Sequence, residues 1–174
     1  MMMKKIVFLF FMVCWAVAAS ARANVNIFAY SREAPDTKIY DSYGKAARLS
    51  DFKGNFLIAV FWSKTCVPCL REMKELNSFA NKTKDNGVKV ILVSSAKDWT
   101  SREEQVALLH KYGGDDLDFY IDKGSALANE FGIFTSPHAV LINGENMEIG
   151  RIRGAIDWDD SDVEEYIYKL KAQN

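Results

Sequence analysis

Cys66-Val67-Pro68-Cys69 places two thiols two residues apart, and these are the side chains whose type and spacing can do redox chemistry. They fall where an apolar run, Phe56-Leu57-Ile58-Ala59-Val60, gives way to Leu70–Lys84. The run reads as a buried strand and the second stretch as a helix. Near a helix N-terminus, free backbone N–H groups and the helix dipole stabilise a thiolate, so the pKa of Cys66 is expected to fall. Cys69 lies about one helical turn on, within reach of a small disulfide ring. Pro68 suits a first helical turn, where its missing N–H costs nothing. Cys66 is therefore the candidate nucleophile, and Cys69 the resolving thiol that releases a partner from a mixed disulfide. Glu72 follows three residues after Cys69, on nearly the same helical face. A partly buried carboxyl there takes a proton from Cys69 or raises the thiol pKa by like-charge repulsion. The plainer reading is a solvated glutamate beside Arg71. Trp62 reads as core and as a wall of the site.

Other uses of the pair are weaker. A structural staple across so short a loop adds little chain-entropy stabilisation. Zinc needs two further ligands, and the chain has only His110 and His138, with no second CxxC. A reduced pair is soft and also binds Cu(I), which keeps a metal-delivery role in view. Ser63, three residues before Cys66, stands where a peroxidase of related architecture needs a threonine. Lys and Arg total 22 against 23 Asp and Glu, so charge offers no argument for nucleic acid.

The 174 residues suit one domain, and 49% hydrophobic composition is enough for an ordinary core. Residues 1–23 read as a secretory signal peptide: Lys4 and Lys5, an apolar run from Ile6 to Ala19, then Ala19-Ser20-Ala21 and Ala21-Arg22-Ala23 as small-x-small sites. The run is short for a membrane span of about 20 residues. Cleavage would remove Cys14 and three basic residues, leaving a domain over 24–174 and a location in the periplasm. An uncleaved membrane anchor is the alternative.

The elements that must position the cysteines follow from pattern. Residues 24–48 read as an N-terminal arm and a β-hairpin, with Thr37–Tyr40 and Lys45–Leu49 around a turn at Asp41–Gly44. Asn24–Arg32 is either arm or first strand. Phe56–Trp62 is the central strand. The helix after Cys69 carries Met73, Leu76, Phe79 and Ala80 on one stripe and stops at Asn86-Gly87. Val88–Val93 is a second parallel strand. Ser101-Arg102-Glu103-Glu104 reads as a capping box opening a helix to about Tyr112. Leu117–Asp122 is a strand, Ser125–Phe131 a short helix, and Ala139–Ile142 and Glu148–Gly154 a closing hairpin. A last helix begins near Asp159-Asp160-Ser161 and turns Val163, Tyr166, Ile167 and Leu170 inward.

Phe61-Trp62, Cys66-Val67-Pro68-Cys69 and Glu72-Met73, with Leu49–Gly54 upstream and Thr135-Ser136-Pro137 downstream, resemble the TlpA-like (ResA-like) thiol-disulfide oxidoreductases of the thioredoxin superfamily. The resemblance runs from about Ala34 to the C-terminus. It implies an α/β thioredoxin fold, a mixed central sheet with helices on both faces, plus an N-terminal β-hairpin. It implies that Glu72 is an active-site acid. It also implies that Pro137 is cis and faces the CxxC, with Thr135, Ser136 and Trp62 lining a substrate groove. Two departures stand out. Thr65 replaces the tryptophan that relatives carry before the first cysteine, and Val60 replaces the buried aspartate of many thioredoxins. The second departure favours Glu72 as the acid. His138 stands where many relatives have threonine, and reads as a bystander.

The expected activity is reduction of disulfides in secreted protein clients, such as apocytochrome c or an assembly protein for a respiratory copper site. A membrane thiol electron donor would re-reduce the pair, and no dissociable cofactor or metal is implied. The competing readings are a disulfide-forming oxidant with the same fold, a peroxidase, and a non-catalytic thioredoxin-fold chaperone or metal-delivery module.

Overall fold

The structure is a computed structural model and describes residues 24–174; the targeting-segment reading of residues 1–23 lies outside them. In chain order the elements are β1 (Asn24–Glu33), β2 (Ile39–Tyr40), β3 (Ala46–Ala47), β4 (Phe56–Phe61), α1 (Val67–Thr83), β5 (Val88–Ser95), α2 (Arg102–Lys111), β6 (Asp118–Asp122), α3 (Ala126–Phe131), β7 (His138–Ile142), β8 (Met147–Arg153) and α4 (Ser161–Gln173). The strands form one mixed sheet in the order β1-β8-β7-β4-β5-β6-β2-β3. Strands β4, β5 and β6 run parallel, β7 is antiparallel to β4, and β8 is antiparallel to β7. This is the thioredoxin order expected from the sequence.

β4 sits at the centre because all six of its residues are buried. Its side chains alternate between two cores. Phe56, Ile58, Val60 and Trp62 face α1 and α4, whereas Leu57, Ala59 and Phe61 face α3 and the hairpin residue Ile39. On the first side, Phe79 of α1 and Trp158 pack at 5.2 Å between ring centroids. Burial of one such aromatic contributes about 1.5–3 kcal/mol.

α1 begins at Val67, three residues before the expected start. Pro68 occupies its first turn, and the Cys66 sulfur accepts the Cys69 N–H at 3.3 Å in place of the usual capping oxygen. Its buried stripe is Cys69, Met73, Leu76 and Phe79. A 3₁₀ turn follows it, and Gly87 at φ 72° then reverses the chain in the left-handed region that favours glycine. At α2 the Ser101 hydroxyl accepts the Glu104 N–H at 3.2 Å, as a capping box requires. The Glu104 carboxylate does not return to Ser101; it accepts from Thr100 and Lys64.

Asn24–Arg32, open between arm and strand in the sequence, is a strand. β1 pairs antiparallel with β8, with a register shift between Ile27 and Arg32. The β2–β3 hairpin lies at the opposite edge, joined to β6 through Tyr40 and Ile121. Its turn is built on Asp41, whose carboxylate accepts the N–H groups of Tyr43 and Lys45. Among the described residues no helix is long and apolar enough to cross a membrane.

Candidate active site

Two features place the cysteines. β4 runs out of its hydrogen-bonded ladder at Phe61, and α1 starts at Val67. The loop between them is pinned by the Cys66 N–H, which donates to the Ser63 carbonyl at 3.1 Å. Cys66 and Cys69 form a disulfide with their Cα atoms 5.3 Å apart. Cys66 is half-buried at the N-cap, while Cys69 is 1% exposed within the core. Only the first sulfur is within reach of a large partner. No acidic residue occupies the first turn of α1, so nothing there opposes the favourable field at Cys66.

Glu72 is buried at 5% exposure, one turn beyond Cys69. Burial pushes its carboxyl up to about 7, against the Ile156 N–H, which donates to the carboxylate at 3.2 Å and favours the charged form. The Trp158 indole N–H lies near the carboxylate and favours the charged form too, although no atom accepts it within hydrogen-bond geometry. The acid borders an open cleft of about 300 Å³ with Pro68, Arg71 and Ala155. A carboxyl poised near neutrality one helical turn beyond Cys69 is suited to proton transfer.

The Ser136–Pro137 bond is cis. His138, the next residue, pairs across the sheet with Phe61 at the end of β4, which brings the Pro137 loop to the same end of the sheet as the cysteines. Trp62, Thr135 and Ser136 line one shared cleft of about 320 Å³. This cleft opens beside Phe61 and Val93, on the sheet face opposite α1, so Glu72 and the Thr135–Ser136 groove flank the CxxC from different sides. Trp62 itself is 4% exposed and packs on Trp99 at 5.3 Å, a wall more than a contact surface.

His138 is buried, its Nε2 without a hydrogen-bond partner, and burial with Arg151 and Arg153 pushes it down to about 4. It is neutral near pH 7. His110 is exposed and contacts Asp115 at 2.5 Å. Sequence reasoning did not find Ile156 and Trp158 as the surroundings of Glu72. They are more than eighty positions away, and one contributes only a backbone N–H, which no pattern encodes. It also missed Lys64, which ties the active-site loop to α2 through Glu104 at 2.5 Å.

The profile of the Redoxin family matches residues 30–167. The thiol-disulfide oxidoreductase ResA of Bacillus thuringiensis subsp. konkukian is 31% identical over 141 residues, covering 80% of this chain and 77% of the relative. Among solved structures, a Chlorobium tepidum protein described as thiol:disulfide interchange protein DsbE superposes with a TM-score of 0.68. It is 21% identical and covers 80% of this chain and 95% of its own. StoA from Bacillus subtilis superposes with a TM-score of 0.60 at 20% identity, covering 76% and 98%. With the half-buried Cys66 over a buried Cys69, these matches identify the chain as a member of the Redoxin family and a ResA-like thiol-disulfide oxidoreductase of the thioredoxin superfamily.

Proposed function

We propose that this protein works outside the cytoplasm as a reductase of client disulfides. The observation that carries the exchange chemistry is the asymmetry of the pair: a half-buried Cys66 at a helix N-terminus, a buried Cys69 behind it, and a buried acid pushed up to about 7; the reductive direction is what the potential below tests. In the reduced protein the Cys66 thiolate attacks one sulfur of a client disulfide. The bond between the client sulfurs breaks, and the departing client sulfur takes a proton. Glu72 accepts the proton of Cys69, whose thiolate then attacks the Cys66 sulfur. The mixed disulfide breaks, the client leaves with two thiols, and the Cys66–Cys69 disulfide forms. Two electrons pass from protein to client, and a membrane thiol donor restores the dithiol.

The backbone beside Pro137 pairs with an extended client strand, and Thr135 and Ser136 line its path. Apocytochrome c and assembly proteins of a respiratory copper site are client classes that suit the resemblance to ResA. The basic, apolar and small-residue pattern of 1–23 supports secretion to the periplasm.

The test is the reduction potential of the pair, read from tryptophan fluorescence across a series of dithiothreitol ratios, with Trp62 as the nearby reporter. A value near or below about −250 mV is expected, in the thioredoxin range. A value near about −120 mV would make the protein an oxidant of newly secreted thiols instead.

A further inference from the structure

The cleft beside Trp62 and Ser136 has a chemistry that disulfide exchange does not use. Two carboxylates and no lysine, arginine or histidine line its roughly 320 Å³. One of them, Asp122, is 1% exposed and already engaged, accepting the N–H groups of Leu127 at 3.1 Å and Ala128 at 2.9 Å. The other, Asp98, closes the short 3₁₀ turn Ala96–Asp98 that follows β5. Partial burial raises its carboxyl above the ordinary range, and no hydrogen bond to it is present among the described residues. Lys64 acts on it only through space, because the ammonium is bonded to Glu104 at 2.5 Å.

The rest of the wall is neutral. The Ser94 hydroxyl accepts the Trp99 indole N–H at 2.7 Å, and the Ser125 hydroxyl donates to Ser95 at 3.1 Å. At the same cleft stands Phe134, 84% exposed, with Ile133 buried next to it. An apolar lip with a single unpaired carboxylate inside suits a side chain with a long apolar stem and a cationic head. Trp62-Ser63 and Thr135-Ser136 belong both to this cleft and to the segments that lead into Cys66 and Pro137. A client lying across the disulfide therefore passes the opening.

We propose that this cleft is a specificity pocket that takes a lysine or arginine side chain of the client segment flanking its reactive cysteine. The proposal rests on exchange with protein clients at Cys66. Side chains of an extended segment alternate in direction. Only residues of one parity can enter, so the preference depends on position and not merely on net charge.

The experiment uses disulfide-linked peptides in which one lysine is walked through the positions on either side of the cysteine, with norleucine as the uncharged analogue that keeps the apolar stem and lacks the ammonium. In the reduced protein, kcat/KM for lysine over norleucine is expected to peak at one position, at about tenfold. Asp98→Asn brings that ratio to about one, while turnover of the norleucine peptide shows that the variant is folded and competent. Asp98→Lys transfers the preference to a glutamate at the same position. Equal rates for lysine and norleucine at every position, a preference spread evenly over all positions, or a ratio that survives Asp98→Asn would each overturn the pocket. Exchange passes through the same mixed disulfide in either direction. An oxidant would thus show the same lysine preference with reduced peptides. The preference tests the pocket, the favoured direction tests the reductase reading, and either can fail alone.

Discussion

Glu72 and His138 are 5% and 4% exposed, yet their titrations act on stability with opposite sign. Glu72 titrates at about 7 in the fold against 4.5 unfolded. The native state holds this proton more tightly, so stability present below pH 4.5 is lost as pH rises through about 7. His138 titrates at about 4 against 6.5, with Arg151 and Arg153 adding to its burial and Glu148 opposing them. Here the unfolded chain binds more protons, so stability is lost as pH falls from 6.5 to about 4. At 1.36 kcal/mol per pH unit each effect is on the order of 3 kcal/mol, and where the two windows overlap, from 4.5 to 6.5, their slopes offset one another. Glu72→Gln is expected to unmask the histidine, giving stability that rises with pH up to 6.5, levels off there and exceeds wild type above neutrality. His138→Asn should leave the opposite slope. Urea unfolding of the oxidised protein from about pH 4 to about pH 8 measures both. Parallel curves for all three proteins would show that neither group titrates as its burial dictates.

At the scale of elements, β1 is the addition that a strand pattern alone left open. It closes the sheet against β8, and Gly150 is what lets it approach. A Cβ at Gly150 would meet the Asn26 carbonyl oxygen at 2.8 Å and Ile27 Cδ1 at 2.6 Å. The Ile27 side chain can turn aside, but the Asn26 backbone cannot without breaking the pairing of Ile27 with Gly150. Gly150→Ala is expected to destabilise by about 1–3 kcal/mol through overpacking. It should also raise amide exchange in Asn24–Ile27, while the amides of β4 and β5 keep their protection. Uniform exchange across the sheet would mean that β1 is not a separable edge. The far end of β1 is held differently. Arg32 donates to buried Glu148 at 2.7 Å, and Glu148 also accepts from buried Arg151 at 2.5 Å.

For the molecule as a whole, the sheet brings together groups from four separate stretches: Trp62 at the end of β4, the cysteines at the start of α1, Thr135–Pro137 before β7, and Ile156 before α4. In the proposed exchange the two cysteines act in sequence and are not equivalent. Cys69→Ser removes the resolving thiol and is expected to accumulate mixed disulfides between Cys66 and clients, visible as dithiothreitol-sensitive adducts on non-reducing gels. Cys66→Ser should form none, because its remaining thiol is 1% exposed. Equal trapping by both variants would place the nucleophile elsewhere. Retention of the biological activity with both cysteines replaced would favour the chaperone or metal-delivery reading over catalysis.

Much of this was legible in the chain by itself. The six apolar residues of Phe56–Phe61 read as a strand covered on both faces, and the stripe from Met73 to Phe79 as the face turned to that sheet, because run length and hydrophobic period are written in the local sequence. The CxxC at their junction placed the reactive pair for the same reason. The helix start at Val67 was less legible, since a sulfur in the capping role leaves no familiar signature. Only the tertiary structure decided that Asn24–Glu33 is a strand, because an edge strand half open to solvent has a mixed pattern that an arm shares. Only the tertiary structure decided the ionisation of Glu72 and His138. A pKa depends on which distant groups exclude water and which donate to the charge, and Ile156, Trp158 and Arg151 come to these side chains through the closure of the sheet, not through the sequence around them.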